Sequence, residues 1–201
     1  MSVERVVLAS NNAGKLRELA ALLAPLQVTL VAQSDLGVGE ADEPHPTFVE
    51  NALAKARHAS RLTGLPALAD DSGICANALA GAPGVRSARY ATLAGAAPRA
   101  VQDAANNARL VAELAAHADR SAYYCCVLVL MRAPDDPRPL IAEGLWHGEV
   151  IAQPRGGGGF GYDPHFLLAD GRTAAELSAE EKNALSHRAI AMRALLASLR
   201  E

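Results

Sequence analysis

Several short runs in this 201-residue chain carry side chains fit for chemistry. Ser10-Asn11-Asn12-Ala13-Gly14-Lys15 lies between an apolar run and a helical pattern, where backbone N–H groups and the helix dipole favour an anion. Lys15 adds a full positive charge there. The run departs from a P-loop, which needs Gly where this chain has Ala9 and Ser or Thr where it has Leu16. A tight turn shaped by Asn11, Asn12 and Gly14 is the plainer alternative. A second run, Asp70-Asp71-Ser72-Gly73, follows a short apolar strand and ends on a glycine that permits a sharp turn. Adjacent side chains diverge, so the two carboxylates have different tasks. One could ligate Mg²⁺ or hold a water as general base; an Asp pair capping a turn is the alternative.

The stretch Glu40-Ala41-Asp42-Glu43 precedes a helix carrying Glu50, Asn51 and Lys55 about one turn apart, either a set of polar heads on one edge or a solvated face. Gly156 to Gly159, followed by Phe160-Gly161-Tyr162-Asp163-Pro164, formally contains G-x-G-x-x-G. The dinucleotide fingerprint should open a helix, however, and this run enters Asp-Pro. Aromatic residues are only 4% of the chain, so Phe160 and Tyr162 between glycines read as a stacking face for a base, or as a buried anchor beneath a loop. In Glu180-Glu181-Lys182-Asn183 and Ser186-His187-Arg188, Lys182 could bind phosphate, and His187 and Arg188 could donate hydrogen bonds to carbonyl acceptors. A helix cap or a surface histidine is the alternative.

Strands and helices alternate around these runs. Arg5 to Ala9 reads as a strand, Gly14 onward as a helix with Leu16, Leu19, Ala20 and Leu23 on one face, and Val28 to Val31 as a second strand after Pro25. Thr47 with Glu50 forms a capping box that opens a helix to about Thr63, ended by Gly64. Ala67 to Ala69 is a short strand, Gly81 to Gly84 a turn, and Arg99 to Ala118 a long amphipathic helix. Ser121 to Arg132 and Leu140 to Ile151 pair across a proline-rich turn, and Thr173 to Leu199 supplies two more helical stretches. The class is α/β with a mixed sheet, in one domain over residues 1–201, without internal repeat or separating linker.

Composition narrows the function classes. Half the residues are hydrophobic, and 19 basic against 22 acidic side chains leave a formal charge of −3. No excess of cations is available to neutralise a nucleic-acid backbone, so a small anionic ligand is the better fit. The longest clean apolar run, Cys125 to Met131, is far too short to span a membrane. The N-terminal residues Met1 to Ala9 run straight into a strand pattern without signal-peptide features, so a cytoplasmic protein is expected. Cys75, Cys125 and Cys126 read as reduced core thiols.

Together these runs resemble the Ham1-like inosine triphosphate pyrophosphatase family. The likeness covers nearly the whole chain in order: Ser10 to Lys15, Thr47-Phe48-Val49-Glu50-Asn51-Ala52 through Lys55-Ala56, Ala69 to Gly73, Gly81-Ala82-Pro83-Gly84-Val85 into Ser87-Ala88-Arg89-Tyr90, Gly159 to Pro164, and Thr173-Ala174-Ala175-Glu176-Leu177 through Lys182 to Ser186-His187-Arg188. The resemblance implies an elongated mixed β-sheet flanked by helices, two lobes with a central nucleotide cleft, and a homodimeric enzyme. That enzyme hydrolyses ITP, dITP and XTP to the monophosphate and pyrophosphate with Mg²⁺. It implies Asp71 as proton acceptor and metal-contacting carboxylate, and Ser72 as a substrate contact. Ser10 to Lys15, Lys55 and Lys182 would cradle the triphosphate, Phe160, Gly161, Tyr162 and Asp163 would embrace base and sugar, and His187-Arg188 would read the 6-oxo edge. The family's second metal ligand, a Glu, maps to Asp42, one methylene shorter, with Glu43 as the alternative. The run of four glycines implies a more mobile base-binding loop. Two other readings share the phosphate chemistry: a nucleotide sensor without turnover, and a pyrophosphatase for pyrimidine or modified nucleotides.

Overall fold

Two periodicities in the sequence become two kinds of element. The structure, a computed structural model, describes residues 5–26, 28–95 and 97–199, so Met1 to Glu4 of the N-terminal reading lie outside the described residues. The strands are β1 (Arg5–Leu8), β2 (Thr29–Ala32), β3 (Ala67–Ala76), β4 (Ser121–Met131), β5 (Leu140–Val150) and β6 (Phe166–Leu167). The helices are α1 (Ala13–Leu23), α2 (Phe48–Thr63), α3 (Arg99–Leu114), α4 (Ala179–Leu185) and α5 (His187–Ser198). The strands form one sheet in the order β2-β1-β3-β4-β5-β6. β1 runs parallel to β2, with Val6 opposite Leu30, and parallel to β3, with Leu8 opposite Leu68; β5 and β6 are antiparallel, with Val150 opposite Phe166. The mixed α/β class expected from the sequence is the class found.

The helix boundaries have local causes. Asn12 caps α1, Thr47 caps α2, and Gly64 closes α2 in the left-handed conformation at φ 68°, which a glycine adopts without Cβ cost. Pro98 precedes α3, which ends at Leu114 and not at Ala118. α4 opens on a full capping box, Ser178 with Glu181. At Thr47 the expected box takes another form: the Glu50 N–H reaches the threonine hydroxyl at 3.4 Å, and that hydroxyl in turn donates to the Glu50 carboxylate at 2.5 Å.

Two elements differ from the sequence expectation. β6 is only two residues long and was not anticipated; it approaches β5 where Gly148 leaves room, since a Cβ there would meet the Leu167 carbonyl at 2.4 Å. β3 continues through Asp70-Asp71-Ser72-Gly73, where the sequence suggested a turn. Charged residues interrupt a buried strand unless cations meet them, and here they do. Gly73 serves close approach and not a bend: a Cβ would lie 2.4 Å from both the Gly84 carbonyl and the Ser87 hydroxyl.

The chain divides into two compact units, and their boundary falls within β3, β4 and β5. The first comprises residues through Asp71, Cys126–Gly144 and those from His187. Its core gathers Val6, Leu8, Leu19, Leu23, Leu68, Leu128, Leu130, Met192 and Leu195 among others. The second comprises Ser72–Cys125 and Leu145–Ser186, with a core of Ile74, Leu110, Leu114, Tyr124, Trp146, Tyr162 and Phe166 among others. All three cysteines are buried and outside any disulfide. Among the described residues, no helix is long and apolar enough to cross a membrane.

Candidate active site

In the first unit, successive residues of β3 point to opposite faces of the sheet, and Asp70 and Asp71 accordingly meet different cations. Asp70 is fully buried. Its carboxylate takes the Arg188 Nε at 2.6 Å on Oδ2 and pairs with the Lys15 Nζ at 2.7 Å on Oδ1, while the Cys126 thiol lies 3.6 Å from Oδ2. Burial alone would raise its pKa; Arg188 and Lys15 outweigh that and hold the carboxyl well below the usual range. The same neighbourhood pushes the Cys126 thiol well above its ordinary value, first through burial and then through the Asp70 charge. Arg188 also donates to Glu18, one turn along α1 from Lys15.

Asp71 is arranged otherwise. Its Oδ1 receives the Lys55 Nζ at 2.6 Å, whereas its Oδ2 is buried with no hydrogen-bond partner among the described residues. Burial raises the Asp71 pKa and Lys55 only partly offsets it. Lys55 sits on the buried face of α2 and also reaches the Glu43 carboxylate at 2.9 Å. Burial would lower the Lys55 pKa, but Asp71 and Glu43 together carry it upward. The Asp70 carbonyl accepts from both lysines, at 3.2 Å from Lys15 and 3.0 Å from Lys55. Two ammonium groups thus converge on one main-chain oxygen, and the next residue carries a carboxylate oxygen without a hydrogen-bond partner among the described residues.

The turn before α1 is held by its own side chains. The Asn12 side chain accepts from the Gly14 and Lys15 N–H groups at 2.9 and 3.3 Å, and the Ser10 hydroxyl accepts from the Asn12 N–H at 3.2 Å. Two amides of the first turn are therefore engaged in capping. Asp42 is exposed, and it is Glu43 that joins Lys55 and Asp71. His187 and Arg188 open α5 and are buried. The Arg188 guanidinium is the buried counter-ion of Asp70 and Glu18, through Nε and one terminal nitrogen.

In the second unit, Asp163 organises the aromatic loop. Its Oδ2 accepts the Phe160 N–H at 2.9 Å and the Lys182 Nζ at 2.5 Å, and its Oδ1 accepts the Tyr124 hydroxyl at 3.1 Å. The Lys182 Nζ lies 4.8 Å from the centre of the Phe160 ring. Lys182, read from sequence as a phosphate ligand, is buried and here pairs with Asp163 beside the Phe160 ring. Tyr162 donates to the Ser87 carbonyl at 2.8 Å. Burial raises the pKa of that hydroxyl, and the nearby Tyr90 adds to the rise. The glycine run is exposed but approaches its neighbours closely at three positions: a Cβ at Gly156 or Gly158 would meet the Ala175 backbone at 2.5 and 2.9 Å, and one at Gly159 would strike the Asp163 carboxylate at 2.0 Å. Ser72, expected to touch substrate, is half-buried on β3 in this unit.

Sequence reasoning missed Glu18, Tyr124 and the anchoring role of Asp70. Glu18 was within reach, three residues after Lys15 on one helix face; Tyr124 had no local signal, because its partner is 39 residues away.

Fold and site define an α/β protein in which one strand carries two carboxylates into a cluster of buried cations, with a separately braced aromatic loop. The chain belongs to the Ham1 family, whose sequence model matches residues 6–198. It is similar to a dITP/XTP pyrophosphatase of Ralstonia nicotianae, 70% identical over 199 residues covering 98% of each chain. A dITP/XTP pyrophosphatase of Bordetella pertussis is 66% identical over 200 residues, 99% of this chain and 92% of the relative. Among solved structures, a HAM1 protein from Coxiella burnetii superposes with a TM-score of 0.87 at 47% identity, covering 98% of each chain.

Proposed function

We propose that this protein hydrolyses deaminated purine nucleoside triphosphates, dITP, ITP and XTP, to the nucleoside monophosphate and pyrophosphate. The observation that carries the reading is the buried Asp71 Oδ2, without a partner among the described residues, on a side chain whose other oxygen is fixed by Lys55. Such an oxygen can hold a water and take its proton as the water oxygen bonds to the α-phosphorus and the bridging oxygen leaves with pyrophosphate. Lys15 and Lys55 would balance the phosphate charge. Phe160 to Asp163 would hold base and sugar, with His187 as a donor to the 6-oxo edge. Adenine presents an amino donor at that edge, so a donor from the protein would meet it badly paired. The names of the relatives, dITP/XTP pyrophosphatases, support dITP and XTP among these substrates.

The donor set fits Mg²⁺. Among the described residues no three His, Cys, Asp or Glu side chains gather as a closed metal site. An ion held by Asp71, with Glu43 or Asp42, and completed by substrate phosphates is the arrangement a hard, strongly hydrated cation prefers. When bound it would neutralise charge on the phosphate oxygens. The assembly that goes with this reading is a cytoplasmic homodimer of the 20.9 kDa chain.

The experiment is pyrophosphate release from ITP, XTP, GTP, ATP and dTTP, with Mg²⁺ and with a chelator. Mg²⁺-dependent release from ITP and XTP is the expected result; binding without release would favour the sensor, and preference for dTTP the pyrimidine enzyme. In the same assay Asp71→Asn keeps nucleotide binding and loses about 100-fold or more of turnover, because the shape survives and the base does not. Near-normal turnover in that variant would overturn the mechanism.

A further inference from the structure

α3 takes hold of the aromatic loop through a single glycine. Asp103 and Asn107 lie four residues apart on α3 and so share one face. The Gly161 N–H donates to Asp103 Oδ2 at 3.1 Å, and Asn107 Nδ2 donates to the Gly161 carbonyl at 2.8 Å. The same amide nitrogen reaches back to the Asp103 carbonyl at 2.9 Å. Both polar groups of Gly161 are thus gripped by one helix. Gly161 has a φ of 64° and a Cβ there would meet nothing within 4 Å, so the glycine serves the backbone turn and not the space around it. The adjacent Asn106 holds the Ser87 and Ala88 carbonyls at 3.2 Å each, and Ser87 is the residue to which Tyr162 donates. One helix therefore fixes Gly161 directly and the anchor of Tyr162 at one remove.

Asn107 also carries a cost that packing alone would not call for. Its Oδ1 is buried without a hydrogen-bond partner among the described residues. A buried unsatisfied oxygen is unfavourable, and an apolar residue of similar size would avoid it. What the amide supplies in return is its donor pair.

We propose that Asp103 and Asn107 are positioning residues for base recognition: by clamping Gly161 they set the directions of Phe160 and Tyr162 before a nucleotide arrives. The inference rests on the function proposed above and deepens it. A loop held in its binding geometry loses little freedom when the base docks, so the clamp contributes to the affinity for the fitting base and to its discrimination from others. The carboxylate that reacts is Asp71, a different group, so chemistry and base recognition are separable by substitution.

The test is steady-state kinetics on ITP and ATP for Asp103→Ala, Asn107→Ala and Asp103→Asn, with each variant's thermal midpoint measured beside the wild type. The two alanine variants raise KM for ITP about three- to tenfold, the range set by one lost hydrogen bond, while kcat falls less than KM rises. Their ITP-to-ATP ratio of kcat/KM narrows. Asp103→Asn keeps an acceptor oxygen for the Gly161 N–H and recovers most of the wild-type KM. Loss of kcat at unchanged KM, an unchanged ITP-to-ATP ratio, or Asp103→Asn as impaired as Asp103→Ala would each overturn the clamp. A wild-type protein that releases no pyrophosphate from ITP would instead overturn the proposed function itself, a result distinguishable from the other three.

Discussion

Without the Arg188 guanidinium, the Asp70 carboxylate would stay buried with Lys15 as its remaining cation, and Glu18 would lose a partner as well. Breaking a buried ion pair from one side costs about 3–5 kcal/mol, since the orphaned charge keeps its desolvation penalty. Arg188→Leu is accordingly expected to lower the thermal midpoint by roughly 6–20 °C in a chain of this length, read by calorimetry. A midpoint within a degree or two of wild type would mean that Asp70 takes up a proton and needs no counter-ion. Asp71→Asn should leave the midpoint nearly unchanged, because Lys55 retains Glu43. Two neighbouring carboxylates are thus expected to separate into one whose removal is felt in turnover and one whose partner is felt in folding. The sequence foretold that they diverge, since strand geometry requires it. It did not foretell which cation goes to which, because Arg188 lies 118 residues from Asp70 in the chain.

Elements show the same division between what is local and what is not. The capping residues Asn12, Thr47 and Gly64 were legible because a cap involves only a few consecutive residues. The path of β3 through Asp70-Asp71 was not, since its charges are tolerated only through cations from α1, α2 and α5. For a related reason the charge of Lys182 is visible in sequence, whereas its pairing with Asp163, 19 residues away, is not. Two expectations test elements directly. Glu181 caps α4, and its hydrogen bonds, first to Arg172 and then to Ser178, depress its pKa to about 2. A depressed carboxyl contributes stability that is present above its unfolded pKa and lost as pH falls. Wild type should lose more stability between pH about 5 and about 2 than Glu181→Gln does, measured as the thermal midpoint across an acid series; parallel curves would rule out the cap as a source of acid sensitivity. α5 lies against β5 at Gly144, where a Cβ would meet the His187 carbonyl at 2.1 Å and the Ala191 nitrogen at 2.5 Å. Gly144→Ala must displace backbone, at a cost of about 1–3 kcal/mol, and a denaturant midpoint equal to wild type would show that α5 can shift freely.

At the scale of the whole molecule, the two cores share no side chain among the described residues, yet β3, β4 and β5 pass through both units. A strand that ends in one core and begins in another ties their unfolding together through its backbone. Guanidinium unfolding followed by the fluorescence of Trp146, the single tryptophan, which sits in the second core, should therefore coincide with far-UV circular dichroism of the whole chain. Two separated transitions would mean that the units melt independently. The interleaving also bears on descent. Each unit is assembled from stretches that alternate along the gene, with switches at Asp71/Ser72, Cys125/Cys126 and Gly144/Leu145. No single crossover between genes can exchange the half bearing the aromatic loop while sparing the half bearing Asp71. On the proposed reading, new base preferences in such a chain are reached by substitutions scattered over α3, the 159–163 loop and His187, and not by exchange of one contiguous module.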